Sequence, residues 1–285
     1  MRTIAELLAA TPVSSVDLSR YVKVNPADSV QSVVGLMRAA ERSAACVVID
    51  HKIVGIFTQR NVVSRILGQP RLWGKPVSEE MSQVRSIGHQ ATIADGSDLM
   101  HTWWVRNAPV VDSHGDFVGN LNYAVVMQTI INLLAAKIGP DGGRSGLGVG
   151  LQFVDFTGVN LTPAAALRPD DTVERAVSNM RNRGLVSVLV VDDRERLVGK
   201  ITEFDLVMKV GCERDDLWDI PLSEIMDPSP LVLSMRSPLT AAIESLAIGS
   251  DSSIPLVGET ERPAGVAAFR DIVSFIETNG EAFDV

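Results

Sequence analysis

Thr202 and Asp205 stand three residues apart, where the apolar run Gly199-Lys-Ile-Thr202 gives way to Glu-Phe-Asp205. A hydroxyl at the end of a strand lies beside unpaired backbone N–H groups at the start of a helix. Their partial positive charge favours an anion such as phosphate. A carboxylate one turn further on accepts two hydrogen bonds from vicinal hydroxyls such as those of ribose, worth roughly 1.5–3 kcal/mol each when one partner is charged. An apolar slot between strands holds a purine by contact. The same spacing also approaches a helix capping box, which stabilises a helix with no ligand present. The two uses are compatible, because one helix start can be capped when empty and bind phosphate when occupied.

The motif recurs. Gly55-Ile-Phe-Thr58-Gln-Arg60-Asn61 keeps the hydroxyl and replaces the acid by an amide. Gly265-Val-Ala-Ala268-Phe-Arg270-Asp271 keeps the acid and loses the hydroxyl, and Gly119-Asn-Leu-Asn122-Tyr-Ala-Val125 has lost both. The elements that must position these groups repeat with them. Apolar residues at helical spacing, Val30, Val33, Val34 and Met37, return as Val173, Ala176, Val177 and Met180, which predicts one buried stripe on each of two helices. Each stripe is followed by a β-branched run (Cys46–Ile49, Val188–Val191), an acidic turn at Asp50 or Asp192, and the glycine-led strand that ends in the motif. Weaker copies begin at Ala108-Pro-Val-Val-Asp112 and Ile254-Pro-Leu-Val-Gly258. The first copy has two residues fewer between turn and glycine than the others, so its turn is the tightest. A larger duplication overlies the small one: Leu72-Trp73 through Pro76, Ser78, Glu79 and Met81 matches Leu217-Trp218 through Pro221, Ser223, Glu224 and Met226. The chain is a pair of pairs, divided by the glycine-rich Gly139–Gly150.

Four in-frame motifs inside a strand-helix-strand-strand-helix unit resemble the cystathionine-β-synthase (CBS) domain, here as two tandem pairs, often called Bateman modules. The resemblance covers about residues 20 to 280. It implies an α/β fold (α+β by some conventions) of four βαββα units in two pseudo-symmetric pairs, each pair burying its sheets face to face, as suits units too small to stand alone. The expected divisions are an N-terminal segment 1–19, copies at 20–75 and 76–138, a linker at 139–158, and copies at 159–218 and 219–285. The two pairs meet in one chain, or two chains form a homodimer.

The resemblance also implies that adenosine-containing ligands occupy clefts built from the motif of one domain and the strands of its partner. Thr202 and Asp205 then face Asp251 and Ser253, which makes this the favoured site. Arg270 and Asp271 face Leu185 and Ser187, with Arg270 as a phosphate contact. Thr58, Arg60 and Asn61 face Val105 and Asn107, the neutral Asn61 holding a diol more weakly than a carboxylate. Asn122 and Val125 leave the fourth cleft without an acceptor, and it is expected to stay empty of nucleotide. The implied function is regulatory: sensing of AMP, ADP or ATP without catalysis or a resident cofactor, the signal passing to a separate, unidentified protein effector. S-adenosylmethionine and cyclic dinucleotides remain open, since the motif reads ribose and not a whole molecule. The rival is an interaction scaffold whose clefts have decayed.

Composition narrows the remaining classes. The chain has 285 residues, 46% of them hydrophobic, so it folds, and two domains of ordinary size suit its length. A net charge of −9 and 5% aromatic residues argue against sequence-independent nucleic-acid binding and base-stacking platforms. Two cysteines, Cys46 and Cys212, build no disulfide framework, so a cytoplasmic setting is expected. The apolar window Ala124–Ile138 is interrupted by polar residues and too short to span a bilayer. The four histidines lack metal-ligand spacing and are expected in turns or on exposed faces. Trp103 and Trp104 are adjacent and, on a helix, point apart, so one is expected buried and one half-exposed; Trp73 and Trp218 are expected to pack the connections within each pair. The glycine-rich divider lacks Gly-Lys-Ser/Thr and is no phosphate loop. No nucleophile, base and orienting residue appear together.

Overall fold

Ser29 and Thr172 each accept a backbone N–H three residues on, and from these caps run the two helices that the apolar spacing predicts, α2 (Val30–Ala39) and, in the second half, α5 (Val173–Arg183). The eight residues of the two stripes are all buried. The computed structural model describes residues 3–135, 153–210, 217–248, 252–258 and 260–279. The glycine-rich divider, Cys212 and Asp251 lie outside the described residues.

Four three-stranded sheets repeat one plan: a short leading strand pairs parallel with a central strand, and the central strand pairs antiparallel with a third. In the first unit these are β1 (Val22–Val24), β2 (Ala44–Ile49) and β3 (Lys52–Thr58). The second has β4 (Ile87–Gly88), α3 (Ile93–Thr102), β5 (Asn107–Val111), β6 (Phe117–Asn122) and α4 (Tyr123–Ala135). The third has β7 (Ala166–Leu167), α5, β8 (Ser187–Val191) and β9 (Leu197–Thr202). The fourth has β10 (Leu233–Ser234), α6 (Leu239–Ile248), β11 (Ser253–Val257), β12 (Pro263–Ala268) and α7 (Phe269–Thr278).

The turns follow the chemistry of their residues. The first unit closes its hairpin with two residues, Asp50 and His51, both left-handed, and is the tightest of the four as its length requires. In the second and third units Asp112 and Asp192 each accept two backbone N–H groups across a longer turn. Those bonds hold both carboxyls below the usual aspartate range.

Pairing of units depends on the glycine that leads each motif. The segment entering one unit crosses to the third strand of its partner: Ser82 bridges to Ile56, Asp227 to Lys200, and Thr162 to Val266, while Asn120 donates its N–H to the Leu18 carbonyl. A Cβ on Gly55 would stand 2.1 Å from Met81 Sδ, on Gly199 2.5 Å from Met226 Sδ, and on Gly119 2.3 Å from Leu18 Cβ. The glycine is there for close approach of a neighbouring chain. Between the first two units the sheets enclose Ala44, Cys46, Val48 and Ile56, with Tyr21 set edge-on to Phe117 at 5.0 Å. Burial pushes the Cys46 thiol up to about 12, so it packs as an inert apolar group.

The two pairs meet within the one chain. Helices of units one and three share a core in which Val63 and Ile66 join Val177, Met180 and Val207. Helices of units two and four share another, built on Ile130, Leu246, Ile272 and Ile276. The N-terminal segment joins this second core through α1 (Ile4–Ala10), capped by Thr3. Trp73 is buried beside the connection within its pair, but Trp218 lies over Gly68 of the other pair, where a Cβ would meet its ring at 2.0 Å.

Because Gly119 is pressed by a Cβ and by the Leu18 carbonyl, neither of which can swing aside, Gly119→Ala is expected to cost about 1–3 kcal/mol. Gly35 lies exposed in α2 with nothing within 4 Å of its Cβ position. Gly35→Ala is expected to gain up to about 1 kcal/mol. Scanning calorimetry of the two variants should therefore move the melting temperature in opposite directions.

Candidate functional site

Each motif folds into the same start of a helix. In unit three Thr202 Oγ1 donates to Asp205 Oδ2 at 2.6 Å and accepts the Asp205 N–H, while Oδ2 also accepts the Thr202 N–H at 2.9 Å. Lys209 Nζ stands 3.0 Å from the other oxygen, Oδ1. Thr202 is buried, and opposite it Ser253 Oγ and Ser187 Oγ are 3.1 Å apart, both buried. In unit one Asn61 takes the place of the acid: Oδ1 accepts Thr58 N–H and Oγ1–H, and Nδ2 donates to Ser82 Oγ at 2.9 Å. In unit four the missing hydroxyl comes from elsewhere. Thr162, on the segment that enters unit three, donates its N–H to Asp271 Oδ2 and its hydroxyl to Oδ1, both at 3.1 Å, while Ala268 N–H adds a third bond. Burial pushes the Asp271 carboxyl above the usual aspartate range, although these bonds pull it down. In unit two Asn122 caps Val125 N–H, and Val125 itself is buried and apolar.

Two of the expected clefts open into one cavity of about 1080 Å³ where all four units meet. Thr58, Arg60 and Asn61 line it opposite Val105 and Asn107, and Arg270 and Asp271 line it with Leu185. Ser187, Thr202, Asp205 and Ser253 are not on its wall. A smaller cavity of about 320 Å³ lies beside Val125, walled by Thr129, Asp17 and Arg20.

The large cavity gathers charge that the composition hides. Among the described residues six arginines line it, Arg60, Arg65, Arg85, Arg106, Arg183 and Arg270, against one carboxylate, Asp271. Beneath two of them lies Glu203, whose side chain is only 4% exposed; it pairs with Arg60 at 3.2 Å and with Arg106. Arg60 also donates to the Gly184 carbonyl at 3.2 Å, so one guanidinium reaches from the first pair to the second.

Trp103 and Trp104 depart from the sequence expectation. Both are exposed, at 49% and 71%, and both line the cavity. The helix ends at Thr102, Trp103 is its cap, and Trp104 is left-handed (φ 55°), so helical geometry no longer separates the rings. Arg85 lies 3.2 Å from the centre of the Trp103 ring and Arg270 4.1 Å from that of Trp104. Tyr123 and Phe269 stack at 6.2 Å between units two and four. The sequence carried no signal for Thr162, Glu203, Arg85 or Arg106 at this place, because each meets a partner remote along the chain: Thr162 is 109 residues from Asp271, and Glu203 is 143 from Arg60 and 97 from Arg106. Histidines 51, 101 and 114 are exposed and His89 half-buried, and among the described residues no three potential ligands cluster for a metal.

A cationic, aromatic-walled cavity with a carboxylate at one edge has the chemistry to hold a phosphorylated nucleoside. Family and fold can be set beside this geometry. The CBS domain family matches residues 13–68, 159–211 and 222–278.

The chain belongs to the CBS domain family.

The second CBS unit, between the first two of these segments, has the same strand order as the other three. A CBS domain-containing protein of Arabidopsis thaliana is 30% identical over 93% of this chain and 53% of its own length, so the chain spans about half of that relative. A CBS domain-containing protein of Bacillus subtilis is 32% identical over 34% of this chain and 69% of its own. A solved protein of Methanocaldococcus jannaschii, described as a candidate archaeal homologue of g-AMPK, superposes with a TM-score of 0.74 at 18% identity, covering 92% of this chain and 98% of its own. That likeness establishes the fold: four CBS units in tandem.

The Thr162 hydroxyl is the donor that Ala268 cannot supply to a largely buried carboxylate. Thr162→Val keeps shape and backbone bond but removes it, and is expected to cost about 1–3 kcal/mol. Urea denaturation should show a lower midpoint for Thr162→Val and a near-normal one for Thr162→Ser.

Proposed function

We propose that this chain is a regulatory module, without catalysis of its own, that binds an adenine nucleotide (AMP, ADP or ATP) in the central cavity and passes its state to a separate protein effector. The observation that carries this reading is the convergence of six arginines on one cavity whose edges hold Asp271 and Asn61. Asp271 receives one ribose hydroxyl through the lone pair left on Oδ1, Arg270 and its neighbours take the phosphates, and Leu185 or Val105 lies against the base. The exposed tryptophans close over a planar ring, since stacking on an aromatic face needs no particular base. A relay requires that ligand bind two packings of the pairs unequally. Because walls of the cavity come from both pairs, a shift between them alters its contacts. A cytoplasmic setting and a homodimer complete the reading. Among the described residues no helix is long and apolar enough to cross a membrane.

The scaffold reading draws on specific substitutions. Asn61 stands where the acid belongs, Ala268 where the hydroxyl belongs, Val125 has neither, and Asp205 is held by Lys209. In that reading the clefts are relics and the pairs serve assembly.

Thermal shift and calorimetry with AMP, ADP and ATP separate the two. Under the nucleotide reading, ligand at a hundred times Kd stabilises by about 2.7 kcal/mol. Arg270→Ala and Asp271→Asn are each expected to weaken binding roughly tenfold or more, from lost charge-assisted bonds. Val125→Ala is expected to leave affinity unchanged. Equal losses for Asp205→Ala and Asp271→Asn would place a second ligand in the Thr202 cleft. No shift with any adenosine compound at millimolar concentration favours the scaffold.

A further inference from the structure

Glu203 is a buried carboxylate that ties three units together. It starts the short helix Glu203–Asp205 of unit three, its backbone N–H held by the Val186 carbonyl at 3.1 Å. Its two oxygens engage Arg60 of unit one and Arg106 of unit two. Both arginines line the cavity and are partly exposed, 43% and 23%, whereas Glu203 lies behind them and does not reach the wall. The other four lining arginines, Arg65, Arg85, Arg183 and Arg270, form no ion pair with a described residue.

A guanidinium offers its N–H fork to carboxylate and phosphate in the same geometry. Glu203 therefore occupies donors that a ligand's phosphate would take, and it is anchored in the opposite pair of units. We propose that Glu203 is an internal competitor for ligand phosphate: it holds Arg60 and Arg106 until a polyphosphate displaces it. This rests on the anion site proposed for the cavity and assigns the ligand class of its first cleft. An anion of low charge leaves the carboxylate in place and uses the four arginines without ion pairs. A chain of phosphates adds enough charge to take the remaining two. A displaced carboxylate cannot stay buried without partners, so Glu203 must move towards water. Occupancy of the first cleft is thereby coupled to the contact between the two pairs.

Titration calorimetry of the full chain with inorganic tripolyphosphate and with orthophosphate tests the competition, since neither compound carries a nucleoside. Glu203→Gln is expected to bind tripolyphosphate at least tenfold more tightly than the parent, with a smaller gain for orthophosphate, and the gain is expected to vanish with Arg60→Gln and Arg106→Gln added. Hydrogen exchange at residues 203–209 of the parent is expected to quicken as tripolyphosphate saturates it, a response that a purely structural ion pair would not give. Affinities equal within twofold, a gain that survives loss of both arginines, or no tripolyphosphate binding to either protein would overturn the proposal. Should Glu203→Gln fail to fold, Glu203→Asp retains the charge with one methylene less. It is expected to gain about threefold, and no gain in that variant counts against the proposal. The gain for tripolyphosphate without binding of any adenine nucleotide would overturn the nucleotide reading and leave the role of Glu203 standing.

Discussion

A missing side chain governs the assembly. At Gly55, Gly119 and Gly199 a neighbouring chain lies where a Cβ would be, and Gly265 has Leu161 at 3.1 Å from that position. Because the Cα is bare, the segment entering one unit adds a bridge to the third strand of the other, and each unit supplies the edge that the other lacks. The same crossing sets the chemistry beside the scaffold. Ser82, which bridges to Ile56, also accepts from Asn61, and Thr162, which bridges to Val266, also donates to Asp271. Pair formation and the polar lining of the clefts thus have one cause.

The second level of assembly makes a site that no single pair contains. Helix faces of units one and three bury one another, as do those of units two and four, and the space left at their meeting is the cationic cavity. A protein with a net charge of −9 concentrates six arginines there. Such crowding of like charge is tolerable because Glu203 neutralises part of it from below, two guanidiniums lie over indole rings, and the cavity is open to water. Nearest the ion pair the guanidiniums share a buried carboxylate; Arg65, Arg85, Arg183 and Arg270 form no ion pair with a described residue.

Much of this was legible along the chain, and the reason is locality. Val30, Val33, Val34 and Met37 face inward because an α-helix returns every 3.6 residues, whatever it packs against. The Asp50–His51 turn is tight because two residues join its strands. Thr202 and Asp205 form the capping arrangement because three residues separate them. The expectation for Trp103 and Trp104 failed for a local reason too: the helix stops one residue earlier, and a left-handed Trp104 turns both rings to the cavity. The part played by Thr162 was invisible because it lies 109 residues from Asp271.

The order of residues displayed the repeat and determined the helices, strands and motif caps, which depend on neighbours within a turn or a hairpin; that each motif opens on a glycine because another segment crosses it was decided by tertiary contact. Tertiary structure alone decided that two clefts share a cavity and that Arg60, Arg106 and Glu203, from three units, converge. It also set Thr202 and Asp205 apart from that cavity, with Lys209 on the carboxylate. Spacing along a chain measures what one turn of backbone can bring together; charges contributed by separate units meet only after helix faces have been buried, and burial depends on shape in three dimensions.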